Sequence, residues 1–284
     1  MTLKTQVIDR IPTYPGRVTM TPVTGQTNTY DLARADSPIE EGTPINKALF
    51  DQKAYTLTES VTVYVSGASG SDVTGDGTAT APYATIQKAI DELPKCLGSY
   101  HALIDIAAGT YEERVTIDGF YGGRLTIGAN DRTVTVRGIS VQSSAAVRIN
   151  VSNITYSANY AGTLLYAGFG SNVTIMRGVT FRGEAAAVNG IGATQGSVIN
   201  APGVTVAFLS FAGACILATA GSTIALETVE GNSNTSYGLR AERGAVISYM
   251  TRNLTATAGD SSIAGGRILT AGGSGTDLSP ASVE

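Results

Sequence analysis

From about residue 101 the chain alternates apolar and polar positions in short runs, each broken by Gly, Asn or Ser. "ALIDIAAGTYEERVTI", "GRLTIG", "TVTVRGISV" and "AVRINVSNITYS" come first. Such alternation over four to eight residues predicts strands rather than helices. The stretch "GSNVTIMRGVTFRG" at 170–183 reads as two short strands split by a turn. Its opening returns in "GSVINAPGVTVAFL" from Gly196, "GSTIALETVEG" from Gly221 and "GAVISYMTRNLTAT" from Gly244. Each of these is preceded by a further strand-like run: "GTLLYAG", "AAAVNGIGA", "ACILATA" and "YGLRAER". About three strands therefore recur every 20 to 30 residues, the period of one coil of a parallel β-helix. One coil cannot bury its own inward side chains. Stacked coils pair each strand with those above and below, so inward Val, Ile, Leu and Phe form ladders while outward Thr, Asn, Arg and Ser stay solvated.

Two rival architectures fit less well. A β-sandwich needs regular tight hairpins, and Asn-Gly occurs once, at Asn189-Gly190. A leucine-rich repeat needs regularly placed leucines, which are missing. The prediction is an all-β chain: a right-handed parallel β-helix of about 6–7 coils over residues 59–257.

Ahead of the coils, "SVTVYVS" at 60–66 predicts a strand, and a Gly-rich polar loop follows it. "TIQKAIDELP" places Ile86, Ala89, Ile90 and Leu93 on one helical face, stopped by Pro94. That predicts a short helix over about 84–94, placed to cap the N-terminal end of the stack. Residues 1–58 differ from the rest. They hold Pro12, Pro15, Pro22, Pro38 and Pro44, more than half of the nine prolines, with interspersed charges. The prediction is an extended anchoring arm with one short helix at "TPINKALFDQ". Its apolar residues Ile11, Tyr14, Val18, Tyr30, Leu32, Leu49 and Phe50 need another surface for burial. Residues 258–284 are small and Gly/Ser-rich, and predict a flexible C-terminal segment.

Composition narrows the function. Of 284 residues 15% are charged, with a net charge of −4, which argues against nucleic-acid binding. No signal-peptide core and no run of 18 apolar residues occurs, so neither secretion nor membrane insertion is expected. Cys96 and Cys215 lie far apart with no metal-ligand spacing and predict two buried thiols. The single histidine, His101, has no partner within sequence reach and is read as non-catalytic. "GIGATQG" at 190–196 misses the spacing of a dinucleotide fingerprint. No cofactor and no metal is expected.

The stretch "VYVSGASGSDVTGDGTATAPYATIQKAIDELP", followed by "IDIAAGTYEERVTI", resembles the opening of pectate-lyase-like right-handed β-helix proteins. The likeness is close over residues 61–117. It implies the fold but little about activity, since lyases, esterases, epimerases and phage tailspikes share it. The segment "PGRVTMTPVTGQTNTYDLARADSPIEEGTPINKALFD" is similar to N-terminal segments of structural proteins from phages and prophages of Firmicutes. Together the two likenesses imply a virion appendage: a tail fibre, tailspike or head fibre. They also imply a homotrimer, other virion proteins as partners of the arm, and a host-surface glycan as a further contact. Such a protein is made in the host cytoplasm and ends in the particle.

The alternative is a polysaccharide-degrading tailspike, a lyase or glycosidase, on the same fold. It would need clustered acidic groups or paired carboxylates. Between residues 145 and 257 the acids are Glu184, Glu227, Glu230 and Glu242, with no Asp. Glu227 and Glu230 share a coil and are fallback catalytic candidates, though solvated surface glutamates fit them better. Asp105 and Glu113, in the first coil with Glu112 and Asp118, are the other fallback pair. They belong to the shared opening of the fold, which favours a structural role. Asp72 and Asp76 lie in the Gly-rich loop without the order of a calcium loop. No catalytic residue is predicted, and the chain is read as a non-enzyme.

Overall fold

A computed structural model describes residues 56–270, apart from 129–131, 160–161, 185–188, 233–236 and 258. Ahead of these it describes residues 11–12, 18–25, 27, 30–34 and 38–40. The chain divides into two compact units, residues 1–54 and 55–284.

In the first unit, strands β1 (Ile11–Pro12), β2 (Val18–Pro22), β3 (Tyr30–Arg34) and β4 (Pro38–Glu40) form two antiparallel pairs, β2 with β3 and β1 with β4. This differs from a purely extended arm. β2 reads Val-Thr-Met-Thr, and the chain reverses after it through a left-handed Gly25 (φ 84°). Pro22 and Pro12 sit at strand ends, where a missing N–H costs little. Of the apolar residues expected to anchor, Ile11, Val18 and Leu32 lie in β1, β2 and β3, and Tyr30 is 48% exposed. Tyr14, Leu49, Phe50 and the helix expected at "TPINKALFDQ" lie outside the described residues.

The second unit is a parallel β-solenoid of about six turns. It starts with β5 (Val61–Val65), α1 (Ile86–Asp91), β6 (His101–Ile106), β7 (Gly109–Asp118), β8 (Arg124–Ile127) and β9 (Val134–Gln142). The coils continue as β10 (Val147–Ile149), β11 (Asn153–Thr155), β12 (Leu165–Gly168), β13 (Asn172–Ile175), β14 (Val179–Arg182) and β15 (Ile191–Ala193). Then come β16 (Val198–Leu209), β17 (Ile216–Ala218), β18 (Thr223–Asn232), β19 (Leu239–Glu242), β20 (Val246–Thr255), β21 (Ser261–Ile263) and β22 (Arg267–Thr270). The last two strands pair in parallel with β19 and β20, so the stack runs to Thr270, past the boundary at 257 that the period suggests.

Three faces result. Along the first, an in-register ladder runs through Val61, Ala102, Leu125, Val147, Val173, Ile199, Ile224, Ile247 and Ile268. The second stacks Tyr111, Val136, Ile154, Phe181, Phe208, Gly231 and Leu254. The third stacks Ile139, Leu165, Ile191, Ile216 and Leu239, beside a narrower ladder of Ala167, Ala193, Ala218 and Ala241. Each fully buried aliphatic rung contributes about 1.5–3 kcal/mol of transfer free energy. Phe181 and Phe208 stack with ring centroids 5.2 Å apart, and Phe211 meets Phe208 edge-on at 5.9 Å.

The corner between the third and first faces accounts for the repeating Gly. Phe169-Gly170, Gln195-Gly196, Ala220-Gly221 and Arg243-Gly244 each place two successive residues at φ between 51° and 73°. A tight turn of this hand suits Gly at its second position. Directly after it, Ser171, Ser197 and Ser222 are 0% exposed, which corrects the expectation that serines stay solvated. The turn leaves amides and carbonyls pointing inward, and a small hydroxyl satisfies them where no water reaches. Ser171 Oγ donates to the Gly168 carbonyl at 2.6 Å, and Ser222 Oγ to that of Thr219 at 2.8 Å.

Helix α1 is shorter than the span 84–94. Thr85 is its N-cap, accepting from the Lys88 N–H, and Ile86, Ala89 and Ile90 are its buried residues. Neither cysteine is in a disulfide; Cys215 is buried, while Cys96 is only half-buried.

Candidate functional site

Five of the acidic residues near the start of the stack each have partners of their own, while Asp118 is exposed. Asp105, pointing outward from β6, takes a bidentate pair from Arg132 at 2.8 and 3.1 Å. Glu112 pairs with Arg137, which holds its carboxyl below the usual range. Glu113 turns the other way, accepting from the Ile86 N–H at 2.7 Å and the Gln87 N–H at 2.9 Å at the start of α1. Burial pushes the Glu113 carboxyl up, although the two amides pull it down. Asp72 accepts from the Ala84 and Thr85 amides and the Thr85 hydroxyl, fastening the Gly-rich loop to the same helix. Asp76 accepts from the Thr78 amide and hydroxyl, a local turn that lowers its carboxyl.

The later candidates are also apart. Glu227 accepts from the Gly203 N–H one coil earlier. Glu230 is exposed on the second face, in register with Ala207 and Asn253. Asp105, Glu113 and Glu227 thus accept from three different sets of partners, and Glu230 faces solvent. Among the described residues no group of three or more His, Cys, Asp and Glu is arranged to hold a metal.

Among the described residues, the outside of the coils carries a cleft on the first face and another near Tyr237. One, of about 460 Å³, runs along outward rungs of the first face, Thr174, Asn200, Ala225 and Ser248, and is walled by Pro202, Glu227 and Met250. The wall arises where β16 bulges between Ala201 and Thr205. The other, of about 340 Å³, is lined by Asn189, Leu217, Tyr237, Arg240 and Glu242. There the Arg240 guanidinium lies 5.0 Å from the Tyr237 ring centroid and forms an ion pair with Glu242. Asn189 Oδ1 is occupied, accepting from the Ala214 N–H at 2.9 Å.

An aromatic ring, a guanidinium, a carboxylate and an apolar Leu in one cleft offer stacking and hydrogen bonding to a polyhydroxylated ligand. Sequence reading passed over Asn189 and Tyr237. The signal was positional: Leu217 and Arg240 occupy one outward register of adjacent coils, which becomes visible once the coils are aligned.

Compared with protein-family models, curated proteins and solved structures, the chain gives no match in any of the three.

Proposed function

We propose that the chain is a structural appendage of a phage or phage-like particle. It is mounted through residues 1–58 and presents a homotrimeric, pectate-lyase-like β-helix to the host surface. The observation that carries this reading is the disposition of the carboxylates. Of the candidates a depolymerase would use, Asp105, Glu113 and Glu227 are committed to Arg132, to the amides of α1 and to Gly203. Glu230 is a solvated carboxylate on the second face, and all lie on a laddered body built for rigidity. A right-handed winding agrees with the favoured hand of parallel crossovers. In this reading α1, which buries Ile86, Ala89 and Ile90, caps the N-terminal end of the stack. The cleft at Tyr237 and Arg240 is the surface for a host glycan.

Exposed apolar side chains supply a trimer contact. By continuation of the register, Met176, Pro202, Glu227 and Met250 follow one another along the edge of the first face, and Met250 is 59% exposed.

The test is localisation. Antibody raised against the full chain should label particles recovered from lysed producer cells at a fixed site, and the particles should retain the chain through gradient purification. Recovery of the chain only in the soluble fraction overturns the reading. So does turnover of host capsule or cell-wall polysaccharide that is lost in Glu227→Gln or Glu230→Gln.

A further inference from the structure

Outward arginines of the solenoid repeatedly meet a carboxylate: Arg132 with Asp105, Arg137 with Glu112, Arg240 with Glu242 and Arg252 with Asp260. Others do not: Arg124 on β8 and Arg148 on β10, like Arg182 and Arg243, have no ion pair among the described residues, in a chain whose net charge is −4. Arg124 and Arg148 stand together with the single histidine. His101 and Arg124 are register neighbours, and so are Thr126 and Arg148. His101 Nε2 lies 2.9 Å from Thr126 Oγ1, linking the two rungs. Burial, Arg124 and Arg148 all hold the imidazole below its ordinary proton affinity, and no carboxylate offsets them. Of the ionisable groups on the neighbouring strands, Tyr64 on β5 is the register partner of Asp105, which is already taken by Arg132.

Like charges on adjacent rungs, about 4.8 Å apart, repel, and a sheet face normally interleaves them with opposite charge. Here three cationic or protonatable groups converge without one. In addition, Arg124 Nε is shielded from solvent and has no acceptor. Arg240 and Arg252 also carry a shielded Nε without a hydrogen-bond partner, but each of those guanidiniums reaches a carboxylate. Arg124, diagonal to Arg148 across β8 and β10, reaches none, which leaves its donors open to an oxygen ligand from outside.

We propose that Arg124, Arg148 and His101, with the Thr126 hydroxyl beside them, form a site on the outer side of the first face for a single oxyanion group: phosphate, sulfate or carboxylate. The guanidiniums supply charge-assisted donors and the imidazole adds charge when protonated. The source of the anion is either a free inorganic ion or the acidic substituent of a saccharide. The site is independent of whether the chain is mounted on a particle, and it is separate from the Tyr237 cleft.

His101 is the sole histidine, so its imidazole proton resonances report on the site directly. Untagged full-length protein is titrated with inorganic phosphate, with glucose 6-phosphate and with glucose, against sodium chloride at matched ionic strength. Phosphate and glucose 6-phosphate should shift the His101 signals saturably and raise the imidazole pKa, whereas glucose and chloride should not. Inorganic sulfate, whose charge does not change between about pH 7.5 and pH 5.5, should bind more tightly as pH falls and the imidazole gains its proton. Arg148→Gln, at a partly exposed position, should weaken phosphate binding by about tenfold or more with an unchanged circular dichroism spectrum. Tighter binding of the sugar phosphate than of phosphate makes a substituted saccharide the source. Equal affinity makes the anion alone what is recognised. Absence of a saturable shift, or an identical shift in Arg148→Gln, overturns the proposal.

Discussion

The Ser197 hydroxyl accepts a hydrogen bond from the Ser171 backbone N–H at 3.1 Å, across one turn of the solenoid and fully out of solvent. One coil up, the Ser171 hydroxyl stands 3.3 Å from the Ser144 N–H in the same relation. From Ser144 to Ser197 the corner is therefore a vertical chain in which each hydroxyl accepts from the amide of the serine one coil before. The Ser222 hydroxyl accepts instead from the Thr219 N–H of its own turn. Ser197→Ala removes the acceptor and leaves the Ser171 N–H only its longer contact to the Gly168 carbonyl at 3.3 Å. The expected loss is about 1–2 kcal/mol, read as a lower denaturant midpoint with an unchanged slope. Ser197→Val, which adds bulk as well, should cost more. A neutral Ser197→Ala would mean that the ladder contributes nothing.

The residue before each corner Gly carries a conformational cost. Gln195 sits at φ 53°, a left-handed backbone that an L-residue with a long side chain adopts unwillingly, and its side chain is exposed. Gln195→Gly or Gln195→Asn should stabilise the fold by about 0.5–1 kcal/mol without touching a contact. Gly196→Ala, at φ 71°, should destabilise by about 1 kcal/mol. Its added Cβ would meet nothing within 4 Å, so the effect is backbone strain alone. Equilibrium denaturation of the three variants gives the signs directly.

Gly190 is required for a different reason. A Cβ there would fall 2.5 Å from a Phe208 ring carbon and 2.7 Å from the Cys215 carbonyl oxygen. Gly190→Ala should cost about 1–3 kcal/mol by overpacking. Adding Phe208→Leu should recover only part of that, because the carbonyl does not move with the ring. Full recovery would place the whole conflict at the ring.

Glu113 and Glu112, adjacent in sequence, should give stability opposite pH slopes. The Glu113 carboxyl is raised above its ordinary 4.5, so the folded state holds its proton more tightly than the unfolded one. Its contribution is favourable at low pH and declines as pH rises from the unfolded value through the folded one. Glu112 is lowered by Arg137, so its contribution is present above 4.5 and fades as pH falls. Glu113→Gln mimics the protonated form. Its stability relative to the parent should therefore improve between about pH 4 and pH 7. A relative stability that worsens over that interval would show that the two α1 amides outweigh burial.

The period was legible because in-register stacking forces each coil to repeat its turn, and Gly170, Gly196, Gly221 and Gly244 announce it. The inward ladders followed from alternation. The serines did not, since alternation assigns polar residues to water and ignores the amides that a tight corner points inward. Pairing of β2 with β3 was hidden by the density of prolines, which at strand ends forbid nothing. The cationic group at His101, Arg124 and Arg148 was also hidden, because its members are about a full coil apart along the chain and meet only through register. Charge counting along the chain passes over such a site.

Met250 tests the trimer. It is 59% exposed at the edge of the first face, in line with Met176 at 41% and with Pro202, an apolar strip interrupted by Glu227. In a threefold assembly this edge is repeated on each protomer, and burying it against a neighbour repays the cost of leaving methionines in water. Met250→Glu places a second carboxylate one rung from Glu227, so each interface would gather like charges while the coil itself, whose side chain here points away from the core, is undisturbed. Sedimentation should show a trimer for the parent chain at micromolar concentration and a monomer for the variant, with matching circular dichroism. A trimer that survives Met250→Glu moves the interface off this edge, and a monomeric parent chain removes the assembly altogether.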